Sequence, residues 1–142
     1  MSFAEELETL IRARYPVVYV TTSEELRVQR IIEEVGAGRT AATTTVEVIQ
    51  EFAHVRARRR SRVDAAAISR QFIDLLSPLV QPAESDLVRG LELFERHDAL
   101  RGFDAILAAV VLGRDHLSAL MSADRAFSEI PGLNHLDPGA GR

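Results

Sequence analysis

Apolar and polar positions alternate along this chain in blocks that predict short strands set between amphipathic helices. Leu7, Leu10 and Ile11 recur at helical spacing among Glu and Arg, so a helix is predicted over 3–14, ended by Pro16. Val17-Val18-Tyr19-Val20 has the composition of a buried strand. Thr22 and Glu25 form a T-x-x-E capping box for a helix through Ile31 and Ile32 to Val35, closed by Gly36 and Gly38. A weak strand over Ala41 to Thr43 precedes a second box, Thr44-x-x-Glu47. The helix it opens should turn Val46, Ile49, Phe52, Ala53 and Val55 inward and end in a basic run, Arg56 to Arg62. Val63 to Leu76 is a further helix, with Ile68, Phe72, Leu75 and Leu76 on one face. A strand is predicted over Pro78 to Pro82, then a helix capped by Ser85 or Asp86 and running through Leu87, Leu91 and Phe94 to Arg96. Phe103 to Leu112 is apolar nearly all round and predicts a buried helix. Ser118 to Ser122 and Leu133 to Leu136 are the last strands, and the tail after Asp137 should fray.

Strands alternating with helices imply an α/β fold, with a short, central, mostly parallel sheet and helices on both faces. In such folds the working site lies outside the carboxyl ends of the strands. Asp124 follows a strand, Asp104 stands at a helix start, and Glu51 lies two turns into a helix that leaves a strand, so the three could share one edge. No internal repeat is visible.

Composition narrows the chemistry. At 142 residues one domain is expected. The chain has no cysteine, which removes disulfides, thiolate metal sites and cysteine nucleophiles, and fits a reducing cytoplasm. The N-terminus has no basic n-region and no apolar run is long enough to span a bilayer, so a cytoplasmic location without a membrane partner is expected. Carboxylates far outnumber the four histidines, which favours a hard ion, Mg²⁺ or Mn²⁺, over zinc. The net charge of −4 argues against a dedicated basic nucleic-acid module but leaves room for a local basic patch.

Judged singly, each acid has an ordinary explanation. Asp104 fits a helix N-cap, which stabilises by ~1 kcal/mol. Asp124 fits a turn residue or the cap of a short helix over 125–128. Glu51 fits a solvated helix side chain. The apolar helix behind Asp104 weighs the other way, since little polar surface surrounds that acid.

Motifs in order change that balance. Thr43-Thr44-Thr45-Val46-Glu47-Val48-Ile49-Gln50-Glu51-Phe52, Phe103-Asp104-Ala105-Ile106-Leu107-Ala108-Ala109, Met121-Ser122-Ala123-Asp124-Arg125-Ala126-Phe127 and Ile130-Pro131-Gly132-Leu133 occur in sequence. Together, over about 37–138, they resemble PIN-domain ribonucleases of the VapC toxin type. The resemblance implies a three-layer PIN-like fold and Mg²⁺- or Mn²⁺-dependent hydrolysis of RNA. Glu51, Asp104 and Asp124 would be the catalytic metal ligands. It also implies a homodimer and an antitoxin protein as inhibitor.

The front end departs from that family. PIN domains begin with a hydrophobic strand ending in Asp, the fourth metal acid; here Thr21 follows Val20. Glu24 and Glu25 are poor substitutes, since Glu25 serves the capping box and Glu24 sits on a helix surface. Residues 6–35 instead resemble the helix-strand-helix that precedes the nucleotide site of some AAA-type ATPases. No G-x-x-x-x-G-K-[ST] occurs, so no ATP site is expected. One expected layout is a single domain over 1–142, with an atypical front end over 1–35, a PIN-like body over 36–138 and a tail over 139–142. A chimera joined between about Arg27 and Gly38 would explain the two likenesses. The expected function is a metal-dependent endoribonuclease scaffold, weakened or inactive for want of the first acid. The alternative is a chimeric protein with a structural role and no catalysis.

Arg56, Arg58, Arg59, Arg60 and Arg62 remain. A solvated helix terminus accounts for one or two of them through the helix dipole. Phosphate contact with RNA accounts for all five, and docking of an acidic antitoxin segment is a third reading. No aromatic residues interleave them, so base readout is not implied there.

Overall fold

The structure, a computed structural model, describes residues 17–20, 35, 37 and 41–137, and for 17–20 the backbone alone. The helices expected over 3–14 and 22–34, the Thr22–Glu25 box, Thr21, Glu24, the Gly36 and Gly38 stops and the tail beyond Asp137 lie outside the described residues. Val35 is helical and buried, as the end of the second of those helices should be.

The described elements run β1 (Val17–Val20), β2 (Ala41–Thr43), α1 (Val46–Arg59), α2 (Arg62–Leu76), α3 (Glu84–Arg96), α4 (Gly102–Leu112), β3 (Ala119–Met121), a 3-10 turn (Arg125–Glu129) and β4 (His135–Leu136). The sheet order is β2-β1-β3-β4. β3 and β4 are parallel, while β1 is antiparallel to both of its neighbours. It follows that β2, β3 and β4 share one direction and β1 alone runs against them. The α/β architecture expected from the sequence is therefore present, with β1 reversed.

Period-two alternation along β3 builds the layers. Ala119 and Met121 face one side, where Val48, Ile49 and Phe52 of α1 and Phe72 and Leu76 of α2 complete the core. Phe52 and Phe72 meet edge to face, with centroids 5.2 Å apart. Leu120 faces the other side, against Leu107, Val110 and Val111 of α4 and Phe127 of the 3-10 turn. Helix α3 packs outside α4 with no room for a side chain at Gly90, where a Cβ would stand 2.8 Å from the Ile106 Cα.

Three local expectations change. The cap of α1 is Thr45, not Thr44: its Oγ1 accepts from the Val48 N–H at 3.3 Å. Val46 is then the first helical residue, and it is 39% exposed rather than inward. The strand expected over Pro78 to Pro82 reduces to one parallel bridge, Thr45 with Val80. Prolines at both ends of that stretch have no N–H to give a ladder. Helix α3 starts two residues early, after Ala83. Asp86 lies inside its first turn, accepting from the Ala83 N–H at 2.7 Å, which is half a capping box because alanine has no oxygen to return the bond.

Candidate active site

The carboxyl ends of β2 and β3 form one edge of the sheet, and the three acids gather along it. Thr43 ends β2, Thr45 caps α1, and Glu51 follows in the second turn. Phe103, near the start of α4, lines a cleft with Glu47 and Glu51 of α1, so Asp104, in the first turn of α4, lies toward that same edge. Asp124 leaves the end of β3 as the cap of the 3-10 turn.

Their surroundings differ. Glu51 is exposed and lines an open cleft of about 500 Å³ with Glu47, Gln50, His54 and Phe103. Glu47, Glu51 and His54 follow a spacing of four and three, which puts them on one helix face. That spacing is present in the sequence, but a capping role for Glu47 masks it and a lone His54 carries no signal of its own. Asp104 follows Phe103 in the chain and is half-buried. Asp124 is also half-buried, and its Oδ1 accepts from the Ala126 N–H at 3.0 Å while its own N–H donates to the Ser122 hydroxyl at 3.1 Å. This is the turn-capping role expected of a lone Asp, and it draws on one of the two carboxylate oxygens.

The fit to a metal is incomplete. Among the described residues no three carboxylate or imidazole side chains stand close enough to hold one ion. Glu51, Asp104 and Asp124 share an edge without converging on a point. The reversed strand bears on the fourth acid. The carboxyl end of β1, Val20, pairs with Ala41 at the start of β2, while its amino end, Val17, pairs with Met121. Val20 thus lies at the edge away from the ends of β2 and β3.

A second, apolar groove of about 300 Å³ opens beside the cleft, lined by Pro82, Leu87, Phe103, Ile106 and Leu107. Glu47 and Phe103 line both spaces.

The basic run folds into a corner. Arg58 and Arg59 close the last turn of α1, Arg60 follows it, and Arg62 opens α2 after the Ser61 cap. Arg56 points elsewhere: its Nε and Nη2 donate to Asp64 at 2.5 and 3.3 Å, tying α1 to α2. That hydrogen bond holds the Asp64 carboxyl below its ordinary range. The helix dipole accounts for Arg58 and Arg59 but not for Arg62, which stands at the positive end of its helix. No helix among the described residues is long and apolar enough to cross a membrane.

Comparison with known proteins supplies two likenesses. The SpoVK-like AAA ATPase N-terminal domain matches residues 3–72. Ribonuclease VapC7 of Mycobacterium tuberculosis is 46% identical over 78% of this chain and 76% of its own length. Ribonuclease VapC13 of the same organism and VapC ribonuclease Mb1869c of Mycobacterium bovis are each 28% identical over 89% of this chain and 98% of their own. Both likenesses read from the sequence, the AAA-type front end and the VapC-type body, are thus present. No solved structure gives a significant match. With 46% identity to one such relative over 78% of this chain and 76% of that relative's length, the chain belongs to the VapC ribonuclease family.

Proposed function

We propose that this chain is a VapC-type endoribonuclease scaffold, the toxin of a toxin–antitoxin pair, whose metal-dependent activity is weak or absent as it stands. The observation that supports the reading is the position of Glu51, Asp104 and Asp124 toward one sheet edge, with Glu51 lining an open cleft. RNA is the substrate, and the exposed arginines 58, 59, 60 and 62 hold its phosphates through charge. Glu51, Asp104 and Asp124 would hold Mg²⁺ or Mn²⁺, which would make a bound water more acidic and stabilise charge on the phosphate. Like charges drawn together without that ion would repel.

Partners follow from the same reading. An antitoxin protein would inhibit the enzyme, and two copies would pair. Leu91 and Phe94 support pairing, since they lie at helical spacing on α3 and are 52% and 47% exposed. Light scattering should give a dimer for the chain and a monomer for Leu91→Asp.

The second reading is a chimera with a structural role and no catalysis. The reversed β1 and the AAA-type match over the front half favour it. Manganese-dependent cleavage of a single-stranded RNA separates the two. Slow cleavage, lost in Glu51→Gln, Asp104→Asn and Asp124→Asn alike, supports the ribonuclease. Absence of both cleavage and manganese binding supports the chimera.

A further inference from the structure

We propose that the apolar groove beside the acidic cleft is a nucleobase subsite, and that Phe103 is its stacking platform. The inference rests on the ribonuclease reading and goes beyond it by naming what part of the RNA the groove takes.

Phe103 is half-buried, packed against the core beneath α1, and it lines both the cleft and the groove. A ring held by the core but open to a cavity is already ordered, so stacking on it sacrifices little side-chain freedom. The groove walls are Pro82, Leu87, Ile106 and Leu107, and a space of about 300 Å³ lies at the small end of ligand pockets. Glu47 and Glu84 stand among its lining residues. Those carboxylates repel phosphate and accept hydrogen bonds from amino groups, so the groove suits the base of a nucleotide rather than its backbone. Phe103 directly precedes Asp104 and shares the cleft with Glu51, so a base stacked on the ring brings its nucleotide beside both residues. The ordinary explanation, a core phenylalanine with one edge exposed, accounts for the burial. It does not account for the position of the ring at the mouth of two adjoining cavities. A base can reach this groove only when splayed from its neighbours, so single strands and loops are the ligands.

Anisotropy with a labelled six-nucleotide single-stranded RNA, in buffer with chelator so that nothing is cleaved, tests this directly. Stacking of one base predicts about tenfold weaker binding for Phe103→Ala, retained binding for Phe103→Tyr, and an intermediate loss for Phe103→Leu, which keeps the core filled. A scan placing one abasic nucleotide along the strand should find a position that weakens the parent chain by the same factor and leaves Phe103→Ala unaffected. Equal binding by the parent and Phe103→Ala, each folded by thermal melt, overturns the proposal, as does indifference to abasic substitution at every position. Cleavage by the parent in a parallel assay with manganese and no chelator, while Phe103 proves indifferent, sinks the subsite alone. Absence of RNA binding in the parent, together with absence of cleavage in that manganese assay, sinks the ribonuclease reading with it.

Discussion

Val20, the last residue of β1, is paired with Ala41, the first residue of β2. Had β1 run with its neighbours, its end would meet the end of β2, where α1 and Glu51 begin. Three residues of strand separate the two edges, roughly 10 Å at ~3.3 Å per residue. Restoring an acid just after β1 should therefore fail to complete the site. Thr21→Asp is expected to leave manganese affinity by calorimetry and RNA cleavage as they are in the parent. A tenfold gain in either would mean that β1 can pair in the opposite direction.

Asp86 and Arg114 clamp the start of α3 to the end of α4. Arg114 donates Nη1 and Nη2 to the two carboxylate oxygens at 3.1 and 2.9 Å, and Asp86 is only 5% exposed. Burial pushes the Asp86 carboxyl up, but the Arg114 and Ala83 hydrogen bonds and the charges of Arg114 and Arg89 together bring it below its ordinary value. Arg114→Met strands a buried carboxylate and should cost about 3 kcal/mol in urea unfolding. The pH dependence follows the depressed value. The stabilisation is complete above the unfolded carboxyl's pKa of about 3.9 and is lost as pH falls through the lower folded value. Asp86→Asn should accordingly show a shallower loss of stability below about pH 4 than the parent.

The arginines of the α1–α2 corner divide by role. Arg56 is committed to Asp64, while 58, 59, 60 and 62 are exposed. Replacing each of the four by Ala should reduce the salt dependence of single-stranded RNA binding by about 0.7 in the log–log slope. Arg56→Ala should leave that slope unchanged and lower the melting temperature slightly. A change in slope for Arg56→Ala equal to the others would show that its pairing with Asp64 gives way to RNA.

Gly90 sets the distance between α3 and α4. Alanine is the better helix former by ~1 kcal/mol, yet its Cβ would lie 2.8 Å from the Ile106 backbone. Overpacking of this kind costs about 1–3 kcal/mol. Gly90→Ala is expected to lower the melting temperature, and a more stable variant would show that α3 shifts freely on α4.

Much of this protein was legible from periodicity. The apolar block at 103–112 had to be buried whatever surrounded it, and it is helix α4. The Phe72 and Leu76 face of α2 follows from 3.6-residue spacing, and the edge shared by Glu51, Asp104 and Asp124 follows from the order of strands and helices. Local chemistry misled by a residue or two where neighbours compete. Thr44 and Thr45 are equal as caps on paper, but the bridge from Thr45 to Val80 and the bond that the Thr44 carbonyl accepts from the Val80 N–H decide which one opens α1.

Strand direction was beyond the reach of the sequence. Val17 to Val20 reads the same as a parallel or an antiparallel strand, because alternation carries no polarity. Only pairing with Thr43 on one side and Met121 on the other shows that β1 is reversed. Convergence of the acids was equally invisible, since it depends on side-chain positions from α1, α4 and the turn after β3. The sequence by itself determined most of the described elements and the family. The tertiary structure decided which way β1 runs, which arginine is tied to Asp64, and that three carboxylates along one edge do not yet meet at a point.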